Sequence, residues 1–292
     1  MSVAGKVVLV TGGARGMGRE YVRGFLREGA KVIATDMFWE PTGVSNDDIH
    51  FLDEIRGNPN VLADTMDITI DSHVKRVFQG AIDKFGTVDV IVNNAGTRMR
   101  DLYPPHGSVN TLDTEVGDWQ KTFDTHVFGS LRVVKEFTKP MVEKGRGSII
   151  SVSSGGYDAS RPNSREMPYQ SAKAALVTMT LYLATELKGS NIAANVLLPG
   201  HTASTGTDEQ EALRAQMRAA MGGQPFRPMR VRPEHVVPLA LFLADQDASG
   251  ITGQVISTTK WNQENGYGGI DEWVYPADAD PSDEQVRRPA RA

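Results

Sequence analysis

The chain has 292 residues, of which 40% are apolar and 23% are charged, a composition typical of a globular protein with one large domain or two small ones. Its 31 Lys and Arg residues and 36 Asp and Glu residues give a net charge of −5. This balance argues against a nucleic-acid partner, because such a partner requires a basic face. The chain has no cysteine, which excludes disulfides and thiolate chemistry, and its six scattered histidines form no H-E-x-x-H pair. We expect no metal site.

The sequence carries no pattern that indicates export or a membrane. The apolar run Val7-Val8-Leu9-Val10 is too short for a signal peptide. No stretch approaches the roughly 18 apolar residues that span a bilayer. We therefore expect a cytoplasmic protein without a membrane partner.

Short β-branched runs alternate with longer helical patterns along the chain. In chain order, strands are predicted near 7–10, 31–35, 60–65, 88–92, 148–152, 192–197 and 254–257, and helices near 17–28, 71–85, 115–143, 168–188 and 233–244. This alternation predicts an α/β fold, a doubly wound parallel β-sheet of about seven strands flanked by helices, known as a Rossmann fold.

The domain organisation follows from the same pattern. No linker-like composition interrupts the alternation, so we predict a single domain over 1–258, with a substrate-specificity segment at about 200–230. Residues 259–292 form a C-terminal extension. Its last part, from about 277, is rich in Pro and Asp and is predicted to be disordered.

A glycine-rich segment follows the first strand and reads Thr11-Gly12-Gly13-Ala14-Arg15-Gly16-Met17-Gly18. Glycines at such a turn let the backbone approach a pyrophosphate, and the helix that begins here offers N–H donors to the anion. A glycine-rich turn without a ligand is the alternative interpretation.

An acidic residue ends the second strand, at the position where the adenosine ribose of a dinucleotide lies. There the Asp36 carboxylate accepts hydrogen bonds from the ribose hydroxyls and repels the extra phosphate of NADP. Alternatively, Asp36 is a strand-end turn residue. Arg15 instead favours NADP, since a cation in the turn can bind the 2′-phosphate of that cofactor. We give Asp36 more weight and predict NAD as the cofactor, with NADP second.

The spacing Thr11-Gly12-x-x-x-Gly16-x-Gly18 resembles that of the short-chain dehydrogenase/reductase family. Four further motifs match that family in order along roughly residues 5–258: Asp67-Ile68, Asn93-Asn94-Ala95-Gly96, Tyr169-x-x-x-Lys173 preceded by Ser153-Ser154, and Pro199-Gly200. The resemblance implies that a nicotinamide dinucleotide contacts Gly12, Arg15, Gly16, Met17, Gly18, Asp36, Asp67, Ile68, Asn94, Ala95, Gly96, Tyr169, Lys173, Pro199, Gly200 and Thr202.

The proposed chemistry centres on a tyrosine and a lysine four residues apart, which a helix places on one face. Hydride transfer at an alcohol carbon requires a proton to leave the oxygen, and a tyrosine with a pKa near 10 is a poor base unless its phenolate is stabilised. Lys173 and the positive nicotinamide ring supply that stabilisation for Tyr169. For the serine that orients the substrate oxygen we choose Ser154 over Ser153. An isolated Tyr–Lys pair can also be an ordinary solvated helix face.

One position departs from the family pattern. The fourth helix commonly has an asparagine in an N-x-x-G context, and here the segment is His126-Val127-Phe128-Gly129. Histidine can both donate and accept hydrogen bonds, so we predict that His126 takes the place of that asparagine in the catalytic set. The other interpretations are a packing residue, an altered proton relay, or a member that binds NAD but turns over poorly.

The substrate-specificity segments are predicted after the strand ends, at 97–114, 155–167 and 200–230. They contain Met99, Leu102, Tyr103, Tyr157, Met217, Met221, Phe226 and Met229, and His201 follows Pro199-Gly200. Such side chains suit an adaptable apolar pocket, although helix packing explains the later ones equally well. We predict a secondary alcohol or ketone of mostly apolar character as substrate.

Three functional classes stay open from the sequence. The first is an NAD(H)-dependent alcohol dehydrogenase or carbonyl reductase, which by resemblance is a homo-oligomer, a dimer or tetramer. The second is a non-catalytic NAD-binding regulatory or scaffold protein of the same fold. The third, a sugar epimerase or dehydratase, usually has a different glycine spacing.

Overall fold

A seven-stranded parallel sheet forms the centre of the protein in this computed structural model, which describes residues 2–41, 49–97, 99–103, 109–157, 166–203 and 230–274. The strands are Val7–Thr11 (β1), Lys31–Asp36 (β2), Val61–Thr65 (β3), Val90–Asn93 (β4), Gly147–Val152 (β5), Ile192–Leu198 (β6) and Val255–Ser257 (β7). Their order is β3-β2-β1-β4-β5-β6-β7, and every neighbouring pair is parallel. This arrangement confirms the predicted α/β Rossmann fold.

Helices cover both faces of this sheet. They are Gly16–Arg27 (α1), Phe51–Ile55 (α2), Asp71–Phe85 (α3), Met99–Leu102 (α4), Val116–Phe123 (α5), Ser130–Phe137 (α6), Lys139–Lys144 (α7), Met167–Glu186 (α8), Val237–Ala244 (α9), Thr258–Glu264 (α10) and Ile270–Trp273 (α11). Short 3₁₀ turns lie at Thr111–Asp113, Lys188–Ser190 and Pro233–Val236, and a π-helical turn spans Asp124–Gly129.

The prediction of a single helix over 115–143 is wrong. The π-helical turn Asp124–Gly129 separates α5 from α6, and α7 begins separately after Thr138. Pro140 lies in the first turn of α7, where its missing N–H costs nothing, whereas inside one long helix it would remove a backbone hydrogen bond. The short helices α2, α4, α10 and α11 were not predicted.

Two apolar layers sandwich the sheet, because successive side chains of a buried strand point to opposite faces. One layer joins alternate residues of β1 and β2 to α1 and α9, and includes Val8, Val10, Val32, Tyr21, Phe25, Leu239 and Leu243. The other joins the remaining strand residues to α3 and α6, and includes Val7, Leu9, Ile33, Ile91, Val77, Val133 and Phe137. The continuous apolar runs that predicted buried strands therefore supply both layers.

The strand order reverses at β1, which places a crevice at the carboxyl ends of β1 and β4. The chain passes from β3 at one edge to β4 on the other side of β1, with Val10 of β1 in register with Val92 of β4. Ligands of open α/β sheets bind at such a switch point. The glycine turn after β1 and the asparagines at the end of β4 therefore meet there.

The first part of the C-terminal extension packs against the body of the protein. Trp261 lies against the apolar layer that contains α9, and the buried Asn262 Nδ2 donates to the carbonyl oxygen of His235 at 2.8 Å. The disorder predicted from about 277 falls outside the described residues. None of the helices in the described ranges is long and apolar enough to cross a membrane.

Candidate active site

The glycine turn is locked to the end of β4 by contacts that leave no room for larger side chains. A Cβ on Gly12 would lie 2.9 Å from the Cα of Ala95, and a Cβ on Gly18 would lie 1.8 Å from the carbonyl oxygen of Gly12. The Asn94 amide donates to the carbonyl oxygens of Thr11 and Gly12 at 2.9 and 3.1 Å. These positions tolerate glycine alone, because the two backbones approach each other too closely for a Cβ.

Two backbone N–H groups at the end of β4 complete this junction. The N–H groups of Asn94 and Ala95 donate to the Thr11 hydroxyl at 3.0 and 3.1 Å. Gly16, at φ +50°, begins α1, and the partly buried Met17 packs against an apolar layer. The junction therefore fixes where the amino end of α1 points.

The amino end of α1 fits an anionic ligand. Its N-cap residue, Arg15, makes no side-chain capping hydrogen bond, and the first turn contains no acidic residue. The first N–H groups of a helix lack partners within the helix, and its dipole favours negative charge there. A dinucleotide pyrophosphate is the kind of group that these residues would hold.

Asp36, at the end of β2, stands beside the turn as predicted. Its carboxylate accepts from the N–H of Ala14 at 3.0 Å and from the N–H of Phe38 at 3.1 Å. Burial raises the pKa of this carboxyl, while the backbone donors and the nearby Arg15 lower it. The Arg15 guanidinium donates to the carbonyl oxygens of Phe38 and Glu40 at 3.1 and 2.7 Å, which directs it towards this loop.

Asp67 and Ile68 follow the carboxyl end of β3. The Asp67 carboxylate accepts from the N–H and hydroxyl of Thr69 at 2.9 and 2.8 Å. Ile68 is buried and packs so closely on Gly129 that a Cβ there would lie 2.7 Å from Ile68 Cγ1. The structure thus brings the end of β3 against the π-helical turn.

Ser154, Tyr169 and Lys173 meet at the carboxyl end of β5. The Ser154 hydroxyl is hydrogen-bonded to the half-buried Tyr169, and Lys173 lies one helical turn further along α8. The Lys173 ammonium is 5.7 Å from the centre of the Tyr169 ring and donates to the carbonyl oxygen of Val152 at 2.7 Å. Three polar groups suited to proton transfer at an oxygen therefore lie close together at this end of the sheet.

The electrostatics of this cluster are those of a buried site. Burial raises the pKa of Tyr169 to about 12, with a further contribution from Glu166 and an opposing one from the Ser154 hydrogen bond. Burial also lowers the pKa of Lys173 to about 7. Proton exchange at both groups is therefore sensitive to any charge that enters the crevice.

Ser153 differs from Ser154 in its contacts. The Ser153 hydroxyl is buried and donates to the carbonyl oxygen of Lys173 at 3.0 Å. It therefore joins β5 to α8. Ser154, by contrast, bonds to the tyrosine hydroxyl.

His126 lies on the π-helical turn and is almost fully buried. Its ring packs edge-on against Tyr169 with 5.3 Å between ring centres, and a Cβ on Gly96 would be 2.2 Å from its Cε1. His126 Nε2 is 2.9 Å from the carbonyl oxygen of Thr97, so Nε2 carries the proton and Nδ1 is an acceptor. This buried Nδ1 has no hydrogen-bond partner among the described residues.

Burial, and then the charge of Lys173, lower the pKa of His126 well below its usual value. The ring is therefore neutral at physiological pH. A neutral imidazole with a bare Nδ1 can accept a hydrogen bond, and it adds no charge to the tyrosine–lysine cluster.

The predicted residues after β6 turn sharply at the edge of the crevice. Gly200 adopts φ +75°, in the left-handed region, and the Thr202 hydroxyl is 3.4 Å from the carbonyl oxygen of Pro199. Met99 is buried and Tyr103 is half-buried. The predicted specificity residues Met217, Met221, Phe226 and Met229 lie outside the described residues.

Two residues beside the site were not predicted from the sequence. Glu166 precedes Tyr169 by three residues, and its charge raises the pKa of Tyr169. The three-residue spacing at the start of a helix is the feature of the sequence that could have indicated this contact. His235 lies beneath Pro199, with Nε2 against the Pro199 carbonyl oxygen and Nδ1 2.7 Å from that of Arg232. No sequence motif marks His235, because its partners are backbone atoms of distant segments.

The glycine turn, the β4 asparagines and the Tyr–Lys helix all lie within residues 6–216, which match the sequence profile of the family described as short chain dehydrogenase. The chain belongs to the short chain dehydrogenase family. Membership confirms the resemblance drawn from the five motifs and makes the protein an oxidoreductase by family.

Two sequence relatives of this short chain dehydrogenase are themselves dehydrogenases by name. It is 41% identical over 286 residues to the fluoren-9-ol dehydrogenase of Terrabacter sp. (strain DBF63), a match that covers 93% of this chain and 75% of that protein. It is 30% identical over 262 residues to the (2S)-[(R)-hydroxy(phenyl)methyl]succinyl-CoA dehydrogenase subunit BbsD of Thauera aromatica, with 88% and 96% covered.

Solved structures of similar fold hold nicotinamide cofactors of both kinds. A 3-ketoacyl-(acyl-carrier-protein) reductase from Brucella melitensis, complexed with NADH, is similar with a TM-score of 0.70 and 26% identity, covering 88% of this chain and 97% of that one. ElxO with NADP bound is similar with a TM-score of 0.70 and 25% identity, covering 87% and 97%. The family therefore binds nicotinamide dinucleotides. Because these two structures hold NADH and NADP, the similarity does not distinguish between NAD and NADP as the cofactor of this chain.

Proposed function

We propose that the protein is an NAD(H)-dependent dehydrogenase of an apolar secondary alcohol, which also reduces the corresponding ketone. The observation that carries the proposal is the Ser154–Tyr169 hydrogen bond with the buried Lys173 one turn along the same helix. Hydride chemistry at an alcohol carbon needs a group that exchanges a proton with the oxygen, and this cluster offers one.

Tyr169 is the proposed general acid/base. In alcohol oxidation it takes the proton of the substrate hydroxyl, while Ser154 donates a hydrogen bond that orients the same oxygen. A bound nicotinamide ring supplies the hydride acceptor. Because burial raises the pKa of Tyr169 to about 12, its phenolate requires a nearby positive charge. Lys173 in its protonated form, 5.7 Å from the centre of the tyrosine ring, and the positive ring of an oxidised nicotinamide would together provide it.

His126 is proposed to support this proton exchange as a neutral acceptor. Its Nδ1 is buried among the described residues without a partner, and its ring lies against Tyr169. An acceptor in that place can hold a donor, such as a water molecule, close to the tyrosine and lysine. The family asparagine at this position offers the same capacity through its amide.

Asp36 supports NAD as the preferred cofactor. Its carboxylate is fixed at the end of β2 by the N–H groups of Ala14 and Phe38. A fixed carboxylate accepts from ribose hydroxyls and repels a 2′-phosphate. Arg15, whose charge would favour NADP, already donates to two backbone carbonyl groups.

The proposed substrate is a secondary alcohol on an aromatic skeleton. The 41% identity to a protein named fluoren-9-ol dehydrogenase supports this class. The half-buried Tyr103, in the segment after β4, offers aromatic surface. No cysteine or metal is required by the chemistry proposed here.

Exposed apolar side chains support the predicted dimer or tetramer. Phe128 on the π-helical turn, Leu131 on α6 and Tyr182 on α8 are 51%, 37% and 66% exposed. Large apolar side chains on neighbouring helices commonly mark a surface that another molecule covers. We propose that this surface pairs two copies of the chain.

The decisive experiment is a panel of secondary alcohols, with fluoren-9-ol included, assayed with NAD and NADP on the wild-type protein and on Tyr169→Phe. We expect NAD reduction by the wild type and a loss of about 10²–10⁴-fold in kcat for the variant, because general acid–base catalysis contributes this much. Retained activity in Tyr169→Phe would overturn the mechanism. NAD binding without reduction on any alcohol would instead favour a non-catalytic role.

A further inference from the structure

The chain that follows β6 is joined to the C-terminal extension by a small ladder. Thr202 pairs in parallel with Val231, and Val231 pairs antiparallel with Val274. The N–H of Ala203 donates to the carbonyl oxygen of Val231 at 2.8 Å, and the N–H of Arg232 donates to that of Trp273 at 2.8 Å. Three segments far apart in sequence therefore form one unit beside the crevice.

Trp273 is the side chain around which this unit is built. It is 8% exposed, and its indole N–H donates to the carbonyl oxygen of Tyr267 at 2.8 Å. The buried Arg232 guanidinium lies 5.2 Å from the centre of the Trp273 ring and donates to the carbonyl oxygen of Glu272 at 2.8 Å. A buried cation requires such partners, so loss of the ring disturbs Arg232 directly.

A second path leads from Trp273 to the turn after β6. The Trp273 ring lies 6.4 Å from that of His235, whose Nε2 contacts the carbonyl oxygen of Pro199. Pro199 is also the residue whose carbonyl oxygen faces the Thr202 hydroxyl. The Pro199 side of the turn is therefore held by His235, whose ring lies against Trp273, and the Thr202 side is held by Val231, which pairs with Val274, the residue that follows Trp273.

We propose that Trp273 is a positioning residue for the nicotinamide half of the cofactor, because it fixes the turn Pro199–Thr202 through Arg232, Val231 and His235. This inference rests on the proposed function and on the family resemblance, which implies that Pro199, Gly200 and Thr202 contact the cofactor. The turn follows the carboxyl end of β6, on the same edge of the sheet as Tyr169 and remote from Asp36 across β1, β4 and β5. Trp273 therefore acts on one end of the dinucleotide and leaves the other unaffected.

Trp273 lies outside the part of the chain that the family profile describes. The family profile ends at residue 216, and Trp273 lies in the extension beyond β7. Trp261 provides a matched control. It belongs to the same extension, but its ring packs on the side chains of Tyr267 and Phe242, whereas Trp273 contacts Tyr267 through the backbone carbonyl.

The experiment compares the binding of NADH and of ADP-ribose, which lacks the nicotinamide ring, by titration calorimetry. For Trp273→Ala we expect the Kd of NADH to rise about fivefold, the equivalent of one lost cation–π contact, with the Kd of ADP-ribose unchanged. Trp273→Phe, which keeps a ring beneath Arg232, restores most of the NADH affinity. Trp261→Ala leaves both constants at their wild-type values.

Two results would overturn the proposal: an unchanged NADH Kd in Trp273→Ala, or a parallel rise for both ligands, which indicates general loosening. If Trp273→Ala fails to fold, Arg232→Lys decides, because it loses the planar contact with the ring and must show the same selective effect on NADH. A wild-type protein that binds no NADH refutes the proposed function itself, and this inference with it.

Discussion

Gly96 lies directly against the ring of His126, and substitution of Gly96 by alanine tests this contact. The new Cβ would lie 2.2 Å from Cε1 and 2.8 Å from Nδ1 of His126, whereas carbon atoms in contact are ~3.5–4.0 Å apart. The imidazole must therefore move by more than 1 Å, on the order of the difference between these distances. This movement breaks the 2.9 Å hydrogen bond to Thr97 and alters the packing on Tyr169.

The expected effects of Gly96→Ala are large in both stability and rate. Overpacking of a core position costs ~1–3 kcal/mol of unfolding free energy. A misplacement of about 1 Å near reacting groups can lower kcat about 10²-fold. Urea unfolding measures the first quantity, and steady-state oxidation of the best alcohol in the panel measures the second.

Removal of the ring should cancel the stability cost of the added methyl. In the His126→Ala background, Gly96→Ala is expected to be nearly neutral for unfolding, so that the two substitutions are strongly non-additive. Gly117→Ala is the control, because a Cβ there meets nothing within 4 Å. Additive costs, or a Gly96→Ala variant as stable and active as the wild type, would refute this view of the contact.

Two further predictions concern charge in the site. Between pH 7 and 10 the unfolding free energy of the wild type should rise relative to that of Lys173→Met. Burial lowers the pKa of Lys173 from 10.5 to about 7, so in this pH range the unfolded chain binds more protons than the folded one. Parallel curves of unfolding free energy against pH for the two proteins would contradict the buried position of Lys173. Asp36→Ala should raise the Kd of NAD about tenfold, through lost charge-assisted hydrogen bonds, and should relieve repulsion of NADP. Comparison of kcat/KM for the two cofactors measures this, and an unchanged ratio would exclude a role for Asp36 in cofactor choice.

Elements with clear end signals were predicted closely from the sequence. The helix predicted over 71–85 coincides with Asp71–Phe85, since Gly86 follows it in the left-handed conformation that commonly ends helices. The helix predicted over 115–143 failed because apolar periodicity continues through it. A π-helical turn adds one residue to a single turn and hardly changes that pattern, so His126 was placed on a helix without its actual geometry.

Some residues of the candidate site were likewise predicted from the sequence, and others were not. Ser154, Tyr169 and Lys173 were predicted together because they match motifs of the short chain dehydrogenase family, and the four-residue spacing of Tyr169 and Lys173 fits one face of a helix. The contacts of Trp273 with Arg232 and His235 could not be predicted, since they join segments about 40 residues apart through ring faces and backbone carbonyls. Such contacts leave no periodic or motif signal in the sequence.

The pairing of β1 with β4 also determines when the glycine turn can form during synthesis. β1 ends at Thr11, while its second neighbour ends at Asn93, so one edge of β1 has no partner until the ribosome has added the residues between them. At about 5–20 residues per second, that interval lasts on the order of 4–16 s. An apolar strand with an open edge is a site of aggregation for that time. Slower translation between β3 and β4 should therefore lower the yield of folded protein even when the amino-acid sequence is unchanged.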